Sequence, residues 1–246
     1  MDNLLSRAEC LNGTVLKIIA LISMTLDHIG YVLFPGEEWL RILGRLAFPV
    51  FAYMIAEGCY YTKNKKKYLF MILLIGVICQ VVAYVAQGAL EMNIMFTLAL
   101  SAIVIFTLQW TLGRKDIFPS NESVRFYENN NKPQRWIVFG IVVLLVIFVA
   151  VGLPEIINGF KIDYRVYGVF LPVVIYLGKN HWQKLLLTAI WLVPICLVLA
   201  NTEWYSFFSL IPLLLYNGKR GKHPMKYLFY IYYPVHLGII WGISFL

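Results

Sequence analysis

KIIALISMTLDHIGYVLFPGEEWLRILGRLAFPVFAYMIAEG, residues 17–58, holds two apolar runs joined by the short turn Pro35-Gly36-Glu37-Glu38. Each run is long enough to cross a hydrocarbon core, which takes about 20 apolar residues. Asp27, His28, Arg41 and Arg45 are embedded in them. Ionisable groups are costly at membrane depth and mark a site or a pathway there. The hairpin reads as the centre of the molecule, with the remaining segments as walls around it.

Those segments follow the same pattern. Of 246 residues, 60% are hydrophobic and 14% charged, with a mean hydropathy of +0.71. A soluble domain carries about 25% charged residues. The apolar runs predict helices at 15–34, 40–61, 68–87, 95–112, 136–157, 163–178, 182–200, 203–216 and 225–246. The eighth is short for a span. The fold class is all-α: a polytopic transmembrane helix bundle of about nine helices. Residues 1–246 form a single integral membrane domain, with 113–135 as a long polar cytoplasmic loop. The first run carries Asp27 and His28, ends in Phe34-Pro35 and lacks a small-residue cleavage site, unlike a cleavable signal. Cys10, Cys59, Cys79 and Cys196 have no paired spacing, so neither a disulfide framework nor a zinc site is expected.

The basic residues set the expected topology. With the N-terminus inside, 17 of the 21 Lys and Arg fall on the cytoplasmic side, including Arg7, Lys63, Lys65–Lys67, Arg114, Lys115, Arg125, Lys184 and Lys222. Only Arg41, Arg45, Lys161 and Arg165 fall outside. Cytoplasmic loops carry the excess of Lys and Arg, so the N-terminus is expected in the cytoplasm and the C-terminus outside. Asp27, His28, Arg41, Arg45, Asn93, Thr97, Asp163, Tyr164 and Arg165 then share the outer half or mouth, and His236 lies near the midplane.

Local features refine the picture. Asn12-Gly13-Thr14 offers an N-cap to the first helix. Gly44 permits close approach of a neighbour, and Pro49 is expected to kink the second helix. Glu57 lies within reach of the Lys63–Lys67 cluster. Gln80 and Gln87 suit hydrogen bonding between helices. The fifth helix, nearly all Val, Ile, Leu and Phe, suits a lipid-facing position. No Walker loop, dinucleotide fingerprint or metal-spaced set occurs, so no metal is expected. The basic loops lack a nucleic-acid module and read as topology determinants beside anionic lipid.

Two readings stand for several polar residues. Asp27 is either part of a catalytic set or the carboxylate that a buried Arg41 or Arg45 requires. Asp27 and His28 are adjacent on a helix, about 100° apart, so Asp27 does not automatically orient His28. His28 has no obvious structural duty, and an imidazole is the usual general base near neutral pH. His236 is a second catalytic group or a core histidine bonded to a tyrosine hydroxyl. Asp163 is a site residue or a helix N-cap. The set as a whole fits acyl transfer. A base takes a proton from an attacking amine or hydroxyl, and cations stabilise the oxyanion. No serine or cysteine nucleophile stands out, so direct attack and an acyl-histidine both fit. A thioester donor made in the cytoplasm would meet Lys66, Lys219 and Arg220 at the inner mouth.

Four stretches carry a family resemblance: KIIALISMTLDHIG at 17–30, RILGRLAFPVFAYMIAEG at 41–58, DYRVYGVFLP at 163–172, and YNGKRG at 216–221 with KYLFYIYYPVHL at 226–237. NIMFTLAL at 93–100 is a fifth. Together they resemble the TraX family of membrane proteins. The resemblance implies an acetyl-CoA-dependent acetyltransferase of the bacterial cytoplasmic membrane, since the named member acetylates the N-terminal amine of conjugative pilin. Membrane acyltransferases that modify envelope glycans are similar in logic. Carried onto this chain, His28 would be the base, with Asp27, Asp163 and His236 as supporting or second-site residues. Arg41 and Arg45 would contact the acyl donor or the oxyanion. The expected partners are acetyl-CoA, membrane lipid and a peptide or glycan acceptor, and no nucleic acid. A non-enzymatic transporter or scaffold of a conjugation or secretion complex is the other reading.

Overall fold

The computed structural model describes residues 10–88, 90–113, 132–221 and 226–246. Most of the expected polar loop at 113–135, and Arg7, Arg114, Lys115, Arg125 and Lys222, lie outside the described residues.

All nine expected segments are helical and follow in the expected order. Helix α1 spans Gly13–Val32 and starts where Asn12 Oδ1 accepts from the Thr14 and Val15 amides at 3.0 and 3.1 Å. The second segment is broken into α2, Glu38–Gly44, and α3, Ala47–Tyr61. The break falls at Arg45–Leu46 and not at Pro49, which sits in the first turn of α3. Proline is tolerated there, and its missing N–H would have served the carbonyl four residues earlier, that of Arg45. The carbonyls of Leu43 and Gly44, freed by the break, accept from Ser23 Oγ of α1 at 2.5 and 3.1 Å.

Helix α4 spans Lys65–Gln87 and ends on Gly88, whose φ of +67° closes the helix in the left-handed region. Strand β1, Glu91–Met92, leads into α5, Ile94–Leu112. Helix α6, Pro133–Ile147, passes through a π turn at Phe148–Gly152 into α7, Leu153–Ile156. Pro154 cannot donate to the preceding turn, and the wider turn accommodates that loss. Strand β2, Lys161–Ile162, pairs in parallel with β1. Then come α8, Arg165–Leu177, and α9, His181–Val198. A 3-10 helix at Asn201–Ser209 runs into α10, Leu210–Leu214, and α11 spans Lys226–Ser244.

Among the described residues, six helical stretches are long and apolar enough to cross a membrane: 13–32, 38–61, 65–87, 94–112, 133–156 and 181–198. Helix α8 has 13 residues. At 1.5 Å per residue it is about 20 Å long, short of a full hydrocarbon core. The 201–214 segment is also short, as its sequence suggested.

Helix α5 is the central post. Leu98, Ala102, Val104 and Ile105 are buried on it, with Phe48, Val50 and Tyr53 of α3 and Val169 and Ile175 of α8 in the same core. Small polar side chains tie α5 to its neighbours, where hydrogen bonds between helices supplement packing. Ser101 Oγ donates to the Val169 carbonyl at 2.6 Å. Gln109 Nε2 donates to the Cys59 carbonyl and to Tyr176 Oη, both at 3.0 Å. Gln80 is the expected glue: its Oε1 accepts from the Asn93 amide at 3.1 Å. The 133–156 stretch turns most side chains outward, as a lipid-facing helix would. Finally, Leu11 pairs with the chain beside Tyr216. Its amide donates to Leu215 O at 2.9 Å, and its carbonyl accepts from the Asn217 amide at 2.9 Å.

Candidate functional site

The α1–α2 hairpin builds a four-member ion network. Asp27 Oδ2 accepts from Arg41 Nη1 at 3.1 Å, and Asp27 Oδ1 from Arg45 Nη2 at 2.8 Å. Arg41 and Arg45 present the same face, one turn apart, so a single carboxylate bridges them. Arg45 is buried, and the rest of its fork is committed. Its Nη1 reaches Glu203 Oε1 at 2.5 Å and Tyr164 Oη at 3.4 Å, and its Nε donates to Arg41 O at 3.3 Å. Two cations face two carboxylates, which satisfies the requirement that buried charge be paired. Glu203 is 3% exposed, and its Oε2 has no hydrogen-bond partner among the described residues. Arg41 differs from Arg45. Its side chain is 32% exposed and its guanidinium lies 5.1 Å from the Tyr31 ring centroid.

His28 takes no part in that network. Its Nδ1 lies 3.0 Å from His236 Nε2 on α11. His236 Nδ1 lies 2.9 Å from the Tyr232 carbonyl, which can only accept. The tautomers follow from this chain of bonds. His236 carries its proton on Nδ1 and offers an Nε2 lone pair, and His28 donates to it from Nδ1. His28 Nε2 is then an unprotonated base, and no hydrogen bond reaches it among the described residues. Among the described residues His236 bonds His28 and the Tyr232 carbonyl and no tyrosine hydroxyl, which is its core reading from the sequence. It stacks on the Tyr232 ring at 5.1 Å and 16°, while Tyr232 Oη bonds Thr25 Oγ1 at 2.7 Å. Asp27 does not orient His28; His236 does.

Asp163 arrives beside this hairpin through its backbone. Its carbonyl accepts from Thr97 Oγ1 at 2.8 Å and its amide donates to Met92 O at 3.2 Å. It is not the N-cap of α8. That position falls on Tyr164, with no capping side chain. Tyr164 and Arg165 have φ of +57° and +51°. Consecutive non-glycine residues there are strained, and such strain clusters at functional sites. Tyr164 is held by stacking on Phe48 at 3.8 Å, beside its contact with Arg45. Asn93 caps α5, accepting from the Met95 amide at 3.0 Å, and donates to the Gly76 carbonyl at 2.8 Å.

The expected donor-binding cations are placed elsewhere. Lys66 is exposed in the first turn of α4. Lys219 and Arg220 are exposed in the turn that closes on α1, where their carbonyls accept from the Gly13 amide at 2.8 Å and Thr14 Oγ1 at 3.1 Å. Glu57 forms an ion pair with Lys184 of α9. Glu57 and Lys184 line a cleft of about 220 Å³ with Tyr53, Lys179, His181 and Tyr216. Among the described residues no three His, Cys, Asp or Glu side chains converge as a metal site.

The profile of the TraX protein family matches residues 12–244. The chain belongs to the TraX family. This TraX-family chain is 25% identical to a probable fimbrial assembly protein FimC, serogroup H1, of Dichelobacter nodosus, over 92% of each chain. It is 36% identical to the uncharacterized protein RP591 of Rickettsia prowazekii (strain Madrid E), over 37% of this chain and 36% of that one. No solved structure matches it. The TraX profile spans both the α1–α2 hairpin and α11, the elements that supply the ion network and the histidine pair.

Proposed function

We propose that the protein is a membrane acetyltransferase that moves an acetyl group from cytoplasmic acetyl-CoA to an amine or hydroxyl at the outer side of the bacterial cytoplasmic membrane. The observation that carries this reading is His28 Nε2, a bare imidazole lone pair whose ring is oriented by His236. This base removes the proton from the attacking nitrogen or oxygen as the bond to the acetyl carbon forms. The carbon–sulfur bond breaks, and the proton passes to the departing thiolate. Arg41 is the partly exposed cation of the set and serves the developing oxyanion. Arg45, held on Asp27 and Glu203, positions the hairpin. The TraX membership and the fimbrial name of the relative support a pilin-type peptide amine as acceptor, and an envelope glycan is the alternative. The N-inside, C-outside topology rests on the basic residues. The alternation of sides, as distinct from which side is inside, is supported by the gathering of Tyr53, Lys184 and Tyr216 in one cleft and Asp27, Glu203 and Tyr164 in one network, each set taken from segments assigned to a common side.

One observation favours a second, non-enzymatic reading as an assembly scaffold: Asp27, Arg41, Arg45 and Glu203 close on one another. Purified protein in detergent, assayed for acetyl-CoA binding and turnover beside His28→Ala, decides between them. Turnover lost in the variant with binding kept supports the transferase. Folded wild type with neither binding nor turnover rejects it.

A further inference from the structure

The cleft between α3, the start of α9 and the turn after α10 is a built polar site with no part in the histidine pair. Tyr53 and Glu57 are one turn apart on α3 and face it together. Tyr53 is 1% exposed, and its hydroxyl bonds His181 Nδ1 at 3.0 Å. Tyr216 closes the back wall, edge-on to Tyr53 at 5.9 Å. Among the described lining residues the only carboxylate, Glu57, is paired with Lys184, whose ammonium also lies 5.9 Å from the Tyr53 ring centroid. Lys179 adds a second ammonium at the rim.

The described lining thus carries two ammoniums against one carboxylate, and that carboxylate is paired with Lys184. Helix α9 brings its N-terminal end to the same cleft, capped reciprocally. Asn180 Oδ1 accepts from the Gln183 amide at 2.9 Å, and Gln183 Oε1 from the Lys179 amide at 2.8 Å. A helix start adds positive potential to an ammonium site. Lysine ammoniums, phenols and an imidazole suit a ligand rich in acceptor oxygens, and about 220 Å³ is room for a diphosphate group, not for a whole nucleotide.

We propose that this cleft binds the diphosphate of a soluble phosphorylated small molecule, with Lys179 and Lys184 as its cationic contacts. In the context of the transferase reading above, on which this last step rests, the diphosphate is that of the acyl donor, so the donor docks here and not on Lys66, Lys219 and Arg220.

The test is equilibrium binding of inorganic pyrophosphate to the full chain in nanodiscs, one set of phosphatidylcholine and one containing phosphatidylglycerol. Wild type, Lys179→Ala, His181→Gln and His28→Ala are compared, and acetyl-CoA turnover is followed in parallel. We expect saturable binding in both bilayers that weakens with salt, falls at least tenfold in Lys179→Ala, and is kept in His28→Ala. If wild type binds none, or if Lys179→Ala and His181→Gln both bind as wild type does, the proposal is overturned even where turnover is intact. Binding that vanishes in phosphatidylglycerol discs alone assigns the cleft to a lipid headgroup and also overturns it. Pyrophosphate bound at the cleft with no turnover by wild type upholds the cleft and removes the transferase reading.

Discussion

His28 Nδ1 and His236 Nε2 meet at 3.0 Å, so the first and last helices of the described bundle share one proton. The Tyr232 carbonyl fixes the direction of that sharing, because it can only accept from His236 Nδ1. His28→Ala is expected to abolish acetyl transfer. His236→Ala is expected to lower kcat by about 10²-fold, as loss of an oriented base does. His236→Gln, which can keep one of the two bonds, should recover part of that loss. Turnover of acetyl-CoA by each purified variant, with size-exclusion profiles as the folding control, checks the series.

The Arg45–Glu203 pair is buried on both sides, so single and double substitutions should not add. Glu203→Gln leaves Arg45 short of one counter-charge and is expected to destabilise by about 3 kcal/mol, the cost of breaking a buried pair. Arg45→Met combined with Glu203→Gln leaves Asp27 with Arg41 and keeps the charges balanced. The double variant should unfold at a higher temperature than Arg45→Met alone. Thermal unfolding in detergent, arranged as a double-mutant cycle, reads the coupling.

Gly44 faces the side chain of Asp27 so closely that a methyl there would overlap its Cβ and carboxylate. Gly44→Ala is expected to cost about 1 to 3 kcal/mol, as overpacking does, and to disturb the ion network. Gly140 meets nothing within 4 Å, and Gly140→Ala should be neutral or slightly stabilising. Equal melting temperatures for the two variants would contradict the close α1–α2 crossing.

Cys10 is exposed, while Cys59, Cys79 and Cys196 are buried. With the N-terminus in the cytoplasm, an impermeant maleimide should label Cys10 only after lysis. Ser244→Cys in a Cys10→Ser background should label in intact cells. Labelling of Cys10 in intact cells would invert the topology.

The sequence was a good guide to the helices and a poor guide to their partners. Six of the segments are legible because bilayer-length apolar runs declare themselves, and the shorter ones at 165–177 and 201–214 because they are apolar and bounded by polar turns. The break at Arg45–Leu46 was displaced from the expected position, since a proline's missing donor is felt at the carbonyl four residues before it. The pairing of β1 with β2 involves two residues on each side, too few for any periodicity to register. His28, Asp27, Arg41, Arg45 and His236 were singled out by their depth in apolar runs. Glu203 does not stand out in the sequence, because it follows Asn201-Thr202 and reads as part of a polar turn. The clue was an acid heading an otherwise apolar short segment that faces the arginine pair. The Glu57–Lys184 pair joins residues 127 positions apart, and nothing local to either names the other. Tyr53 and His181 are likewise 128 positions apart, and neither marks the other in the sequence.

The backbone bridge from Leu11 to the chain beside Tyr216 has a consequence for biosynthesis. A ribosome delivers Leu11 long before Tyr216, so the start of α1 has no partner at this bridge until residues 215–217 are made. The bridge arrives late and completes an anchoring of α1 that the Asp27 ion pairs and the Ser23 hydrogen bonds to α2 begin. Each residue of slippage would move His28 about 1.5 Å along the membrane normal and turn it about 100°. His28 and His236 therefore come into register only once the last helix has been translated and docked, and a nascent chain stalled before it carries His28 without its orienting partner.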